Sequence, residues 1–156
     1  MTGGARKRST GTDWLGLAAF GFFLLLIGAI WIANSLDLNV EAREFVKPGN
    51  WHLANVTGNI SIPEPVRPFP VIYTAAMQFC LIFGGFEIVI LVLRLAFHES
   101  IGRMADAVSG IAFWFSAGYF LSLLASQSIG WFSFIAGIII SAGLAIVATS
   151  IFKLFR

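Results

Sequence analysis

Of the 156 residues, 58% are hydrophobic and only 12% are charged, and the mean hydropathy is +0.85. Soluble domains carry about 25% charged residues, so this composition excludes an ordinary water-soluble fold and predicts an integral membrane protein in contact with the lipid bilayer. The net charge of +2 is too small and too dispersed for a nucleic-acid-binding surface, and a single cysteine, Cys80, excludes an intrachain disulfide or a cysteine metal cluster.

Residues 1–12, MTGGARKRSTGT, are polar, glycine-containing and basic at Arg6, Lys7 and Arg8, and read as a disordered cytoplasmic tail. Thr12 or Asp13 can cap the helix that follows. Residues 14–36 carry no charge, a length that crosses a hydrocarbon core of about 30 Å at about 1.5 Å per residue. That length argues against a cleaved signal, whose apolar region is about 7–15 residues. Ala18, Gly21, Leu25, Gly28, Ile32 and Ser35 form a face whose small members let another helix approach closely.

Residues 37–70 form the one long polar connection, with acids at Asp37, Glu41, Glu44 and Glu64 and bases at Arg43, Lys47 and Arg67. Strand character over 44–47, 51–56 and 60–62, separated by Pro48-Gly49-Asn50 and Thr57-Gly58-Asn59, predicts a small hairpin or three-stranded cap. The following PEPVRPFP, residues 63–70, predicts a stiff extended segment outside any sheet, with Pro70 suited to a first helical position. His52 has Glu41, Glu44 and Glu64 as potential metal-binding neighbours, but a solvated loop histidine is the preferred reading, and no metal is assigned. Asn55-Val56-Thr57 and Asn59-Ile60-Ser61 are glycosylation acceptor triplets, a weak motif on its own.

Further spans are predicted at 71–97, 107–126 and 131–152, with Asp106 in the first turn of the third. The short link after Ser126 makes the last two antiparallel neighbours. Gly118, Ser122 and Ser126 in the third span, and Ser133, Gly137, Ser141, Ala145 and Thr149 in the fourth, recur every four residues as small-residue packing faces. The expected fold is therefore an all-α membrane protein: one domain over 13–156, a bundle of four transmembrane helices, and a small extracytoplasmic cap with a short β-hairpin between the first two.

Basic residues stay on the cytoplasmic side. With four spans, Arg6, Lys7, Arg8, Arg94, Arg103, Lys153 and Arg156 fall on one side and Arg43, Lys47 and Arg67 on the other. Both termini are then cytoplasmic, the long loop is extracytoplasmic, and the plasma membrane is the expected location.

The residue with the most chemistry is Glu87, an acid at bilayer depth. Insertion of a charge there costs at least about 2.5 kcal/mol, so it should face protein or water. Helical spacing puts it on one stripe with Tyr73, Cys80, Gly84, Arg94 and His98. Counting inward from the cytoplasmic ends predicts Ser116, Tyr119 and Ser141 as its hydroxyl partners. A proton or cation site is one reading. An acid that ties helices together is preferred, because a relay needs consecutive ionisable sites and no second one lies at depth. Catalytic motifs such as G-x-S-x-G and H-E-x-x-H are absent from the sequence, and no cofactor is implied.

The order of elements, four spans with a strand-forming first outer loop, resembles the claudin plan, but the paired loop cysteines are missing and nothing carries over. Size and an intramembrane glutamate are similar to small multidrug transporters, which place that glutamate in the first span. The expected function is a non-catalytic integral membrane subunit or accessory protein, with other membrane subunits or its own copies as partners. The alternative is a small proton- or ion-coupled transporter or channel using Glu87.

Overall fold

A computed structural model describes residues 14–57 and 60–154. Helix α1 spans Trp14–Ala33 and α2 Ser35–Phe45; a 3-10 turn at Pro48–Asn50 leads into strands β1, Trp51–Thr57, and β2, Ile60–Pro65. Helices α3, Pro70–Ala96, α4, Ile101–Ala125, and α5, Trp131–Leu154, complete the chain. Helices α1, α3, α4 and α5 are long and apolar enough to cross a membrane. The tail reading for residues 1–12, its capping by Thr12 or Asp13, and Arg156 lie outside the described residues.

Three features differ from the sequence expectation. The polar connection opens with a helix rather than a loop. Asp37 in its first turn and Arg43 in its last complement the helix dipole, and Leu38 is buried. Glu44 and Phe45 therefore end α2 and form no strand, leaving two antiparallel strands instead of three. Asn34 marks the break: its side chain donates back to the Ile30 carbonyl at 2.9 Å, competing with the next helical turn.

The second difference is that Pro63 and Pro65 lie inside β2, opposite Leu53 and Trp51. Alternation makes this permissible. Val66 N–H bonds the Asn50 carbonyl at 2.9 Å, so every second residue of β2 faces β1, and the two proline nitrogens face the other way.

Thirdly, α4 begins at Ile101, not 107. The charges Arg103 and Asp106 mark where the apolar run starts, but they are compatible with a helix, and Arg103 Nη1 pairs with Glu99 at 3.1 Å. Asp106 consequently lies beyond the first turn.

These four helices pack in chain order, α1 on α3, α3 on α4, and α4 on α5. Phe22 stacks on Phe86 with ring centres 4.0 Å apart, and Phe23 meets Phe79 and Phe83 edge-on. Between α3 and α4, Cys80, Ala117 and Leu121 are buried together. Phe69, Tyr73 and Leu124 form a second core at the hairpin end, flanked by Phe45, Trp131 and Phe134.

Candidate functional site

The predicted polar stripe on α3 is distributed over three places. Tyr73 is buried at the hairpin end, where its ring lies 6.3 Å from that of Trp131. Cys80 and Gly84 are buried against α4: a Cβ on Gly84 would sit 3.2 Å from both Phe115 and Trp114. Arg94, at the opposite end, turns toward the α3–α4 corner, where its guanidinium reaches Glu99 at 3.7 Å and the Arg103 carbonyl. His98 is not on the stripe at all. The helix has ended at Ala96, and His98 is an exposed residue with φ +50°.

Glu87 is half-buried on α3 and lies against Gly110 of α4; a Cβ there would be 3.4 Å from the Glu87 carboxyl carbon. None of the three expected hydroxyls meets it. Ser116 donates to the Ala112 carbonyl at 2.6 Å, Ser141 to the Gly137 carbonyl at 2.9 Å, and Tyr119 is 59% exposed. For Ser116 and Tyr119 the cause is the start of α4, whereas Ser141 is on α5, which packs on α4. A helix beginning at Ile101 rather than 107 displaces the level opposite Glu87 by six residues, about 9 Å at 1.5 Å each. Among the described residues no hydrogen bond reaches the Glu87 carboxyl. An uncrowded acid beside a glycine is chemically able to bind a proton or cation, but no second acid accompanies it among the described residues.

The small-residue faces divide. Gly118 faces α3, where a Cβ would lie 3.1 Å from Leu81 and 3.3 Å from Cys80. Ser122 and Ser126 instead bond carbonyls of their own helix, and Ser126 is exposed. On α5, Gly137 and Ser141 are buried, and a Cβ on Gly137 would overlap the Phe120 ring. Ala145 accepts a 2.9 Å hydrogen bond from Ser109 of α4, whereas Ser133 is exposed. On α1 the glycines of the proposed small face meet none of the described residues: Gly21 and Gly28 have no such neighbour within 4 Å of a Cβ, and Leu25 is 73% exposed. The helix instead uses Phe22 and Phe23 to reach α3, and Leu15 and Leu26 are its buried residues.

The cap is seated by aromatic and polar contacts. Trp51 donates its indole N–H to the Phe45 carbonyl at 2.6 Å and rests on Phe45 and Trp131, and Trp131 donates to the Pro63 carbonyl at 3.0 Å. Glu44 gathers Lys47, Asn50 and Arg67. The Lys47 hydrogen bond is the largest influence holding its carboxyl below the usual range, followed by that from Asn50. His52 approaches Glu64 at 3.9 Å, while Glu41 and Glu44 are engaged elsewhere. No group of three potential metal ligands exists among the described residues. Asn55 is exposed and accepts from Ser61 at 2.6 Å, and Asn59 lies outside the described residues.

No known family model, curated protein or solved structure matches this chain. Its chemistry rests on its own geometry.

Sequence reasoning missed Glu41, which bridges the cap and the bundle. One carboxylate oxygen accepts the backbone N–H groups of Val71 and Ile72 at 3.0 and 3.1 Å. A signal was present: Leu38, Glu41 and Phe45 share one face of α2, so the acid lies on the side that the helix buries.

Proposed function

We propose that the chain is a non-catalytic subunit or accessory protein of a larger membrane assembly, and that a transmembrane helix of another subunit docks on the open face of α1. The observation that carries this reading is a contrast among glycines. Gly84, Gly118 and Gly137 each have a side chain of a neighbouring helix at or inside contact distance, whereas Gly21 and Gly28 have open space. Lipid tails are as apolar as leucine, so helices in a bilayer associate by close backbone approach, and small faces supply it. A small face turned away from its own bundle is suited to a second protein. In this arrangement both termini are cytoplasmic and the hairpin is extracytoplasmic, in keeping with the distribution of lysine and arginine, and the proposed location is the plasma membrane.

The test uses the full chain purified in mild detergent. A stoichiometric set of different membrane proteins is expected with the wild type, and it should be lost with Gly21→Ile or Gly28→Ile. Those variants have room within the chain, so their own thermal stability should not fall. Recovery of a homo-oligomer that both variants leave intact would remove the proposal.

A second reading, a small proton- or ion-coupled transporter, is favoured by the half-buried Glu87 beside Gly110. It requires that proton-driven flux in liposomes be abolished by Glu87→Gln. Equal flux in both proteins ends it.

A further inference from the structure

The seam between α1–α2 and α3 carries two adjoining depressions of opposite character. One, of about 200 Å³, is lined only by apolar groups, among them Ile27, Trp31, Leu38, Ile72, Ala75 and Phe79. The other, of about 230 Å³, is lined by Asn34, Asp37, Pro70, Val71 and Thr74. Their walls are sequence neighbours: Asn34 follows Trp31 by three residues, Asp37 precedes Leu38, and Val71 and Thr74 precede Ile72 and Ala75. An apolar groove, lined mostly from α1 and α3, thus lies beside a polar cup at the helix break, the level where hydrocarbon would give way to water.

Charge selects the occupant. The N-terminal amides of α3 would otherwise attract an anionic head group, but Glu41 already accepts from Val71 and Ile72. What remains in the cup is a negative charge, because the Asp37 carboxylate makes no ion pair or hydrogen bond among the described residues. Asn34 gives one amide N–H to the Ile30 carbonyl, and its side-chain oxygen is a further acceptor. Acceptors and a carboxylate suit an ammonium head; the groove below suits an acyl chain.

The geometry points to a site for one aminophospholipid, with its primary ammonium on Asp37 and one acyl chain in the groove between α1 and α3. This inference needs only membrane insertion and is independent of the partner proposed for α1.

The experiment exchanges the full chain into micelles containing equal amounts of phosphatidylethanolamine and phosphatidylglycerol with identical chains, and counts retained lipid by native mass spectrometry. The wild type should retain phosphatidylethanolamine over phosphatidylglycerol by about threefold to fivefold, the size of a partly exposed ion pair. Asp37→Asn, on an exposed residue, should return the ratio to that of the micelle. Ala75→Trp, which fills the groove, should lower retention of both lipids; Ala75→Ser, which leaves it open, should not. Retention in the input ratio, a preference for the anionic lipid, or a preference that survives Asp37→Asn would overturn the site.

Discussion

Glu41 and Val71 are thirty residues apart in sequence, yet the Glu41 carboxylate accepts the Val71 backbone N–H at 3.0 Å and that of Ile72 at 3.1 Å. Pro70 has no N–H, so these are the first donors of α3. An acid from one helix thereby caps the start of another. The contact fixes α2 on the start of α3. Replacing it with alanine should lower stability by about 1–2 kcal/mol, the cost of a lost N-terminal cap. Glu41→Gln keeps an acceptor and should lose less. Midpoints of denaturation in mixed micelles compare the three; equal midpoints would mean that the capping contact contributes nothing.

Acid should loosen the cap through Glu44. Its carboxyl titrates below its ordinary value of 4.5, chiefly because Lys47 and then Asn50 donate to it. The folded state therefore binds this proton more weakly than the unfolded chain does. The contribution is whole above the unfolded value and is lost as pH falls through the lower, folded one. Trp51, one of five tryptophans, sits between Phe45 and Trp131 and contributes a cap-sensitive part of the emission. A titration from about pH 7 to about pH 3 should show an acid transition near the carboxylate range in the wild type, reduced in Glu44→Gln. Superimposable titrations would assign the transition to other groups.

The two kinds of glycine predict opposite responses to one added methyl group. Gly137→Ala places a Cβ in the Phe120 ring, so the ring or α5 must shift, and a loss of about 1–3 kcal/mol is expected. At Gly28 the same methyl meets nothing. There Gly28→Ala should be neutral or raise stability by up to about 1 kcal/mol, since alanine is the better helix former. Detergent denaturation of the isolated chain separates the cases, and a stable Gly137→Ala protein would show that α4 and α5 do not meet as described.

Much of this architecture was legible in the sequence because crossing a hydrocarbon core imposes a length that few other constraints require. The runs near Trp14, Val71 and Trp131 gave helix positions to within a few residues for that reason. Helix α4 was placed late because Arg103 and Asp106 indicate where an apolar run begins, and a helix can start earlier. That one displacement moved the expected neighbours of Glu87 from Gly110 to Ser116 and Tyr119. Helix α2 was hidden because part of its buried face is polar: Glu41 lies there to meet amides of α3, which local hydrophobic periodicity does not register. Pro63 and Pro65 argued against a strand, yet their spacing of two keeps both nitrogens on the side away from β1. The small face of α1 was legible as a pattern, but not its direction, since nothing in the sequence tells which neighbour a helix will choose.

Helix ends supply the last prediction. Helix α3 stops at Ala96 and α4 at Ala125, and each closes with the same pair of backbone bonds. His98 N–H bonds the Leu95 carbonyl at 3.1 Å and Glu99 N–H the Arg94 carbonyl at 3.0 Å; Gln127 N–H bonds Leu124 at 3.0 Å and Ser128 N–H bonds Leu123 at 2.9 Å. These closures place one residue in the left-handed region, usually glycine, and here the occupants are His98 at φ +50° and Gln127 at φ +57°. A side chain there crowds the following carbonyl, at about 1 kcal/mol or more. Glycine removes that strain but gives back part of the gain as unfolded-chain entropy. Gln127→Gly should therefore raise stability by about 0.5–1 kcal/mol, while Gln127→Ala, still left-handed but lacking the long side chain, should not. Among the described residues the Gln127 side chain makes no hydrogen bond or ion pair that would confuse the comparison, and it lies in the short connection to α5. The denaturation midpoints of the wild type, Gln127→Ala and Gln127→Gly decide the matter: if the glycine variant is no more stable than the wild type, the left-handed closure of α4 carries no strain.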